Sequence, residues 1–442
     1  MKKYLISIAM LLCVICQSSI SIAQQLVPGL PGRTDVTLYQ INIRAFSKEG
    51  NLKGILPRLD SIKKLGINVI YLMPIYPVGK VNSVNSPYCV SDYKAVNPEF
   101  GQLADLKTLV DSIHSKKMSV ILDWVPNHTS YDHVWIKNKN WYLQDEAGKI
   151  LPPPKTGWND VAQLNFDNMD MRAEMISDMK YWVNTANVDG FRCDFADGPP
   201  LSFWKQAITE LRAMPNHPLL LLAEGKRPDH YKAGFDYIFG FQYFEHLKDI
   251  YGKGKTAKSI DEVNKKEHKG ASNGQQVVRY TTNHDVNGSD GTPQDLFGAE
   301  KGSVAAFVTA AYMNSIPMVY NGQEVGTPYR LVFPFTEKDI DWSLNPALTA
   351  TYKKILALRN NSRALKSGKI KSYLTDDVCA FTKTSGTEQV FVLTNLRNKE
   401  VSFATPSKLS KLKWVNAYTG EAYSLGDTVN LGSYSYVVLK SI

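Results

Sequence analysis

The sequence predicts an α/β fold: a (β/α)8 barrel carrying a small inserted subdomain after its third strand, followed by a separate antiparallel β domain. Three observations carry this expectation. Over most of the chain, short β-rich runs alternate with segments of helical apolar spacing, and the runs number eight, the barrel number. From His128 to about Asn165 the alternation stops, in an aromatic, Asn-rich stretch that includes Pro152 to Pro154. That stretch is too long for a plain βα loop. From about Ser362 the apolar period becomes two, as in VCAFTK, QVFVLTNL and SYVVLKSI, the pattern of an antiparallel sheet.

Taken in order, the strand candidates are Val36 to Ile43, Val69 to Met73, Met118 to Trp124, Asp189 to Phe195, Leu219 to Glu224, Phe235 to Ile238, Val277 to Asn283 and Ile316 to Tyr320. Between the first two, Leu52, Ile55, Leu56, Leu59, Ile62 and Leu65 recur at helical spacing. Leu103, Leu106, Leu109, Val110 and Ile113 repeat the pattern before the third strand. Further helices are expected over Asp170 to Asn187 and Ala347 to Asn360. The predicted division is therefore barrel at 24–127 and 166–361, inserted subdomain at 128–165 and C-terminal β domain at 362–442.

Residues 1–23 read differently. Lys2 and Lys3 precede the apolar run LISIAMLLCVIC, and small Ser21 and Ala23 follow. This is the make-up of a signal peptide cleaved after Ala23, and it predicts export to the periplasm or the extracellular space. Bulky Ile15 before Cys16 argues against a lipoprotein. Ser303 to Tyr320 is apolar, but Asn314 and Pro317 break it. It reads as a buried helix and strand, so no transmembrane segment is expected after the signal. A net charge of +9 falls to +7 without Lys2 and Lys3, and the remaining cations are scattered among acids. No basic face marks a nucleic-acid partner. Cys89, Cys193 and Cys379 are too few to form a disulfide framework.

Barrel enzymes place reacting groups where strands end. Here those ends read Asp123-Trp124-Val125-Pro126-Asn127-His128, Arg192-Cys193-Asp194, Leu222-Ala223-Glu224 and Asn283-His284-Asp285. One acid at a strand end means little; four polar clusters in register are hard to reach by accident. Arg192 and Asp194 are two apart on a strand and face the same way. The guanidinium is expected to hold Asp194 ionised, as a nucleophile requires. Glu224 follows four leucines and an alanine, an apolar approach expected to keep it protonated, as a general acid requires. One charged and one neutral carboxyl is the arrangement that cleaves a glycosidic bond with retention.

DWVPNH, GFRCDF, LLAEG and TTNHD resemble, in order and spacing, the four core regions of the α-amylase family of glycoside hydrolases. The resemblance runs from Tyr39 in YQINIRAF to the final VVLK. It implies a TIM barrel, a subdomain after strand three and a C-terminal β domain. It also implies roles: Asp194 as nucleophile, Glu224 as acid/base, and Asp285 as the third acid on the 2- and 3-hydroxyls of the reacting glucose. Arg192, His128 and His284 match groups lining that subsite, and SPYCVSDY places Tyr88 against the sugar face. The implied substrate is an α-glucan or maltooligosaccharide. Where the family usually continues its second region with small residues, Lys and His, Phe195-Ala196-Asp197-Gly198 stands here. Asn127 matches a calcium ligand, yet the fifth region, VAQLN, offers Gln163 in place of an acid, and one Asn alone makes a weak hard-cation site. No cofactor is therefore expected to be required. The same acids also suit an oligo-1,6-glucosidase, a neopullulanase-like enzyme or a transglycosylase. A non-catalytic glucan-binding protein would be expected to lack some of the acids.

Overall fold

A computed structural model describes residues 30–442; the expected signal peptide lies outside the described residues. Ten strands precede the C-terminal domain. They are β1 (Leu38–Ile41), β2 (Val69–Leu72), β3 (Ser119–Trp124), β4 (His128–Ser130), β5 (Val161–Gln163), β6 (Gly190–Cys193), β7 (Leu220–Ala223), β8 (Tyr237–Phe239), β9 (Gln276–Arg279) and β10 (Ile316–Tyr320). Eight of them close a parallel barrel in the order β1-β10-β9-β8-β7-β6-β3-β2, and β4 pairs antiparallel with β5 outside it. The predicted (β/α)8 architecture is the observed one.

Apart from half-buried Gln276, every barrel-strand residue is buried, which is why β2 (VIYL), β3 (SVILDW) and β7 (LLLA) read as apolar runs rather than alternating ones. The helix Leu103–Ser115 buries Leu106, Leu109, Val110 and Ile113, the spacing read from its sequence. One predicted helix is irregular: Lys53–Arg58 is 3-10 and only Leu59–Leu65 is α. Pro57, near the end of the 3-10 stretch, has no N–H to donate, so a regular α ladder cannot run through it. Strand β9 also stops at Arg279, four residues before the expected end. Gly190 opens β6 at φ 145°, where an added Cβ would lie 1.9 Å from the Leu220 carbonyl oxygen.

Past the barrel, a short helix, Arg363–Ser367, leads into the sheet. The chain then adds β11 (Lys369–Ser372), β12 (Val378–Ser385), β13 (Glu388–Asn395), β14 (Val401–Ala404), β15 (Trp414–Asn416), β16 (Ala422–Tyr423), β17 (Thr428–Leu431) and β18 (Tyr436–Ser441). Six form an antiparallel sheet, β11-β12-β13-β18-β15-β16, and β14 pairs with β17. Period two is visible in its burial. Phe391 and Leu393 join Trp414, Phe403 and Leu431 in a core of the domain's own. Val390 and Val392, with Cys379 and Phe381 of β12, face the other way and belong to the barrel's core. Helix Ala299–Tyr312 is consequently buried on nearly every side from Gly302 onward. Among the described residues no helix is long and apolar enough to cross a membrane, and Cys89, Cys193 and Cys379 are free and buried.

Candidate active site

The acids meet at the end of the barrel where its strands run out. Arg192 faces inward from β6 with 1 % of its side chain exposed, while Cys193 points into the surrounding core. Its guanidinium serves three carboxylates from three adjacent strands. Nη1 lies 2.7 Å from Asp123 Oδ1 and 2.8 Å from Asp194 Oδ1, and Nη2 lies 2.5 Å from Glu224 Oε1. Register explains the convergence: Asp123 of β3 pairs with Arg192 of β6, and Arg192 pairs with Leu222 of β7, two residues before Glu224. Backbone bonds extend the ladder past the strand ends, from Asp194 N–H to Trp124 O (2.7 Å) and from Glu224 N–H to Cys193 O (2.9 Å).

This geometry corrects the electrostatic expectation for Asp194. Arg192 alone would depress Asp194, but burial first, and then the Glu224 carboxylate, push the Asp194 carboxyl well above the usual range. Asp123 is pushed up to about 6 by its burial, against the pull of Arg192 and Tyr71. Nor does Glu224 sit in an apolar pocket. Besides Arg192, its Oε2 accepts the Phe195 N–H at 2.8 Å. A single buried cation thus serves three carboxyls.

A second chain of bonds holds the other side of the site. Gln40 Nε2 donates to His284 Nδ1 (2.7 Å), His284 Nε2 lies 2.7 Å from the Tyr88 hydroxyl, and Tyr88 donates to Asp123 Oδ2 (3.0 Å). The bond from Gln40 assigns the His284 proton to Nε2. Burial pushes His284 down to about 3 and His128 down to about 4, so both rings are neutral acceptors and donors rather than cations. His284 and Asp285 do not extend β9; they form the first turn of helix His284–Ser289. The Asn283 side chain caps that turn by accepting the N–H groups of Asp285 and Val286. Asp285 then projects into open space with 57 % of its side chain exposed, 3.3 Å from His284 Nε2.

Tyr88, His128, Asp194, Glu224, His284 and Asp285 all line one cleft of about 1390 Å³. Arg192 lies beneath it. Asn127 faces a neighbouring hollow, and its side chain is already engaged: Nδ2 donates to Gln163 Oε1 (3.0 Å), and Gln163 Nε2 donates back to the Asn127 carbonyl (3.0 Å). Amide hydrogens directed at these oxygens do not fit a hard cation, and among the described residues no group of three or more His, Cys, Asp or Glu could hold a metal ion.

Several groups of the site escaped the sequence reading. Asp123, fully buried beneath the cleft, was legible only as part of a motif, although an acid closing the apolar run SVIL was a signal. Trp158 of the inserted subdomain, Lys226 and Phe241 also line the cleft. Asp197 fixes the loop after Glu224 by accepting the N–H groups of Lys226 (2.9 Å) and Arg227 (3.2 Å) and by bonding buried His230 at 2.8 Å.

Comparison with known proteins gives the likeness of the whole chain. The family model described as "Alpha amylase, catalytic domain" matches residues 31–150, and one described as "Alpha-amylase SusG C-terminal domain" matches residues 378–438. Alpha-amylase 2 of Dictyoglomus thermophilum is 29 % identical over 395 residues, covering 84 % of this chain and 68 % of its own. A cyclomaltodextrinase of Geobacillus thermopakistaniensis is 27 % identical over 420 residues, covering 88 % and 70 %. The crystal structure of an alpha-amylase from Lactobacillus plantarum superposes with a TM-score of 0.82 at 25 % identity, covering 93 % of this chain and 99 % of that one.

Proposed function

We propose, for a chain that belongs to the α-amylase family of glycoside hydrolases and acts on α-glucans, retaining hydrolysis of α-glucosidic bonds in starch or maltooligosaccharides. The observation that carries this reading is the shared guanidinium. Asp194 and Glu224 bond to the two nitrogens of one guanidinium, a shared anchor that favours the close carboxyl pair of a retaining enzyme over the wider pair of an inverting one. In the first step Asp194 attacks the anomeric carbon while the glycosidic C–O bond breaks, and Glu224 gives its proton to the departing oxygen. In the second, Glu224 takes a proton from water, whose oxygen displaces Asp194 from the sugar carbon. Asp285, half in the open cleft, and His284 beside it hold the hydroxyls of the reacting glucose, with Tyr88 against its face. His128 closes the same pocket.

Neutral His284 and His128 donate and accept without adding charge, so Arg192 alone balances the acids as the nucleophile becomes free to react. Asp194→Asn and Glu224→Gln should each lower turnover of maltooligosaccharides by several orders of magnitude. NMR should show the α-anomer first, whereas an initial β product would remove the retaining mechanism. The cyclomaltodextrinase relative supports an alternative in which the same acids open cyclic or branched glucans; product sizes from starch, cyclodextrin and panose separate the two. The charged start and apolar run of residues 1–23 support export, and a secreted product beginning at Gln24 is the expected finding.

A further inference from the structure

Strand β7 ends at Ala223, and Glu224 follows on the last bonds of the ladder. Its N–H donates to the Cys193 carbonyl at 2.9 Å, and its own carbonyl accepts the Ala196 N–H at 2.8 Å. The next residue, Gly225, has no side chain with which to anchor the chain as it leaves the barrel. Asp197, three residues after Asp194, supplies the anchor. Its Oδ2 accepts the Lys226 N–H at 2.9 Å, and its Oδ1 accepts the Arg227 N–H at 3.2 Å. Arg227 Nη1 donates back to the Asp197 carbonyl at 3.0 Å.

Asp197 is itself held. The His230 ring is fully buried, edge to face with Phe235 at 5.6 Å, and its Nε2 lies 2.8 Å from Asp197 Oδ1. Burial raises the Asp197 carboxyl, but His230 and the two amide hydrogens outweigh it and keep the group below the usual range. A Cβ on Gly225 would lie 2.3 Å from His230 Nε2 and 2.6 Å from Asp197 Oδ1. The pair therefore fills the space beside the main chain that follows Glu224. Both Glu224 oxygens are bonded, one to Arg192 and one to the Phe195 N–H. The direction in which the carboxyl meets the departing oxygen thus depends on where its main chain stops. A misplacement of about 1 Å in such a group costs about a hundredfold in rate.

We propose that Asp197 and His230 are positioning residues for proton transfer, holding the chain after Glu224 so that its carboxyl stays in line with the departing oxygen. The proposal rests on the acid/base role given above to Glu224. The pair reaches the substrate through Glu224, so its effect should scale with how much the leaving group needs a proton.

Phenyl and 4-nitrophenyl α-maltosides test this. Their leaving groups share one ring shape, but phenol is the weaker acid and needs the proton more. The readout is the ratio of kcat/KM for the 4-nitrophenyl substrate to kcat/KM for the phenyl one. Asp197→Ala and His230→Ala should each raise that ratio about tenfold, part of the roughly 10²–10⁴-fold that general acid catalysis supplies. Asp197→Asn, whose amide oxygen still accepts an N–H, should lie between Asp197→Ala and the wild type, and it gives the same readout where an alanine variant fails to fold. Glu224→Gln should raise the ratio most. An equal fall on both substrates in the Asp197 and His230 variants, beside a rise in Glu224→Gln, would overturn the pair's role alone. Glu224→Gln with no rise, or a wild type inactive on both maltosides, removes the acid itself and the proposal with it.

Discussion

Lys383 sits on the barrel-facing side of β12, fully buried, with its ammonium donating to the Leu365 carbonyl at 2.7 Å. Arg359 and Arg279 face the same region, and no salt-bridge partner lies within reach of Lys383 among the described residues. Burial first, then the two guanidiniums, push the amine down to about 7. In the unfolded chain it titrates near 10.4. A folded value below the unfolded one means that folding releases a proton, so stability should rise with pH across the window from about 7 to about 10.4. The limiting slope for one proton is about 1.4 kcal/mol per pH unit. Below about 7 the penalty is constant, and above about 10.4 it is gone. Lys383→Met keeps the volume and removes the titration, at the cost of one unsatisfied carbonyl, about 1 kcal/mol. The variant should therefore be more stable than wild type by about 2–3 kcal/mol near pH 7.5, and the gap should close and reverse by pH 10. Urea denaturation of both proteins at pH 7.5, 8.5 and 9.5 measures the gap directly, since every other titrating group cancels in the difference. Parallel stability curves would refute the reasoning.

Two further outcomes follow from the barrel. Gly190→Ala should yield no folded protein, because the new methyl would meet the Leu220 carbonyl at 1.9 Å at the start of the β6–β7 ladder; soluble, active protein would contradict that register. The acid limb of kcat/KM should lie above the ordinary carboxylate range, since burial raises both Asp123, to about 6, and Asp194. Asp123→Asn should move that limb, whereas a limb near pH 4 in the wild type would show that substrate-free burial does not set it.

The barrel was legible because two-sided burial turns each strand into an apolar run, and the run itself reports the face. The acids were legible because they stand where those runs stop. What stayed hidden depends on neighbours from other strands. The sequence places Arg192 beside Asp194, but Asp123 and Glu224 reach the same guanidinium only once β3, β6 and β7 are in register, and that reverses the expected effect on Asp194. Likewise Tyr280 to Asn283 looked like more strand, whereas the Asn283 side chain captures two amide hydrogens and starts a helix. Trp158 and Lys383 carry no periodic signal, since each acquires its meaning from a surface contributed by a distant segment.

The alternating faces of β12 and β13 have a consequence for how the chain can be divided. Val390, Val392, Cys379 and Phe381 are part of the barrel's interior packing, and the Tyr312 hydroxyl ties helix Ala299–Tyr312 to Tyr418 at 2.9 Å. The C-terminal sheet is thus a wall of the catalytic body rather than an appendage. Cutting the chain after Asn361 would strip a buried helix bare along one side. The smallest piece of this protein able to fold as a catalyst therefore includes the segment that carries none of its chemistry, and the two units should melt in one cooperative step.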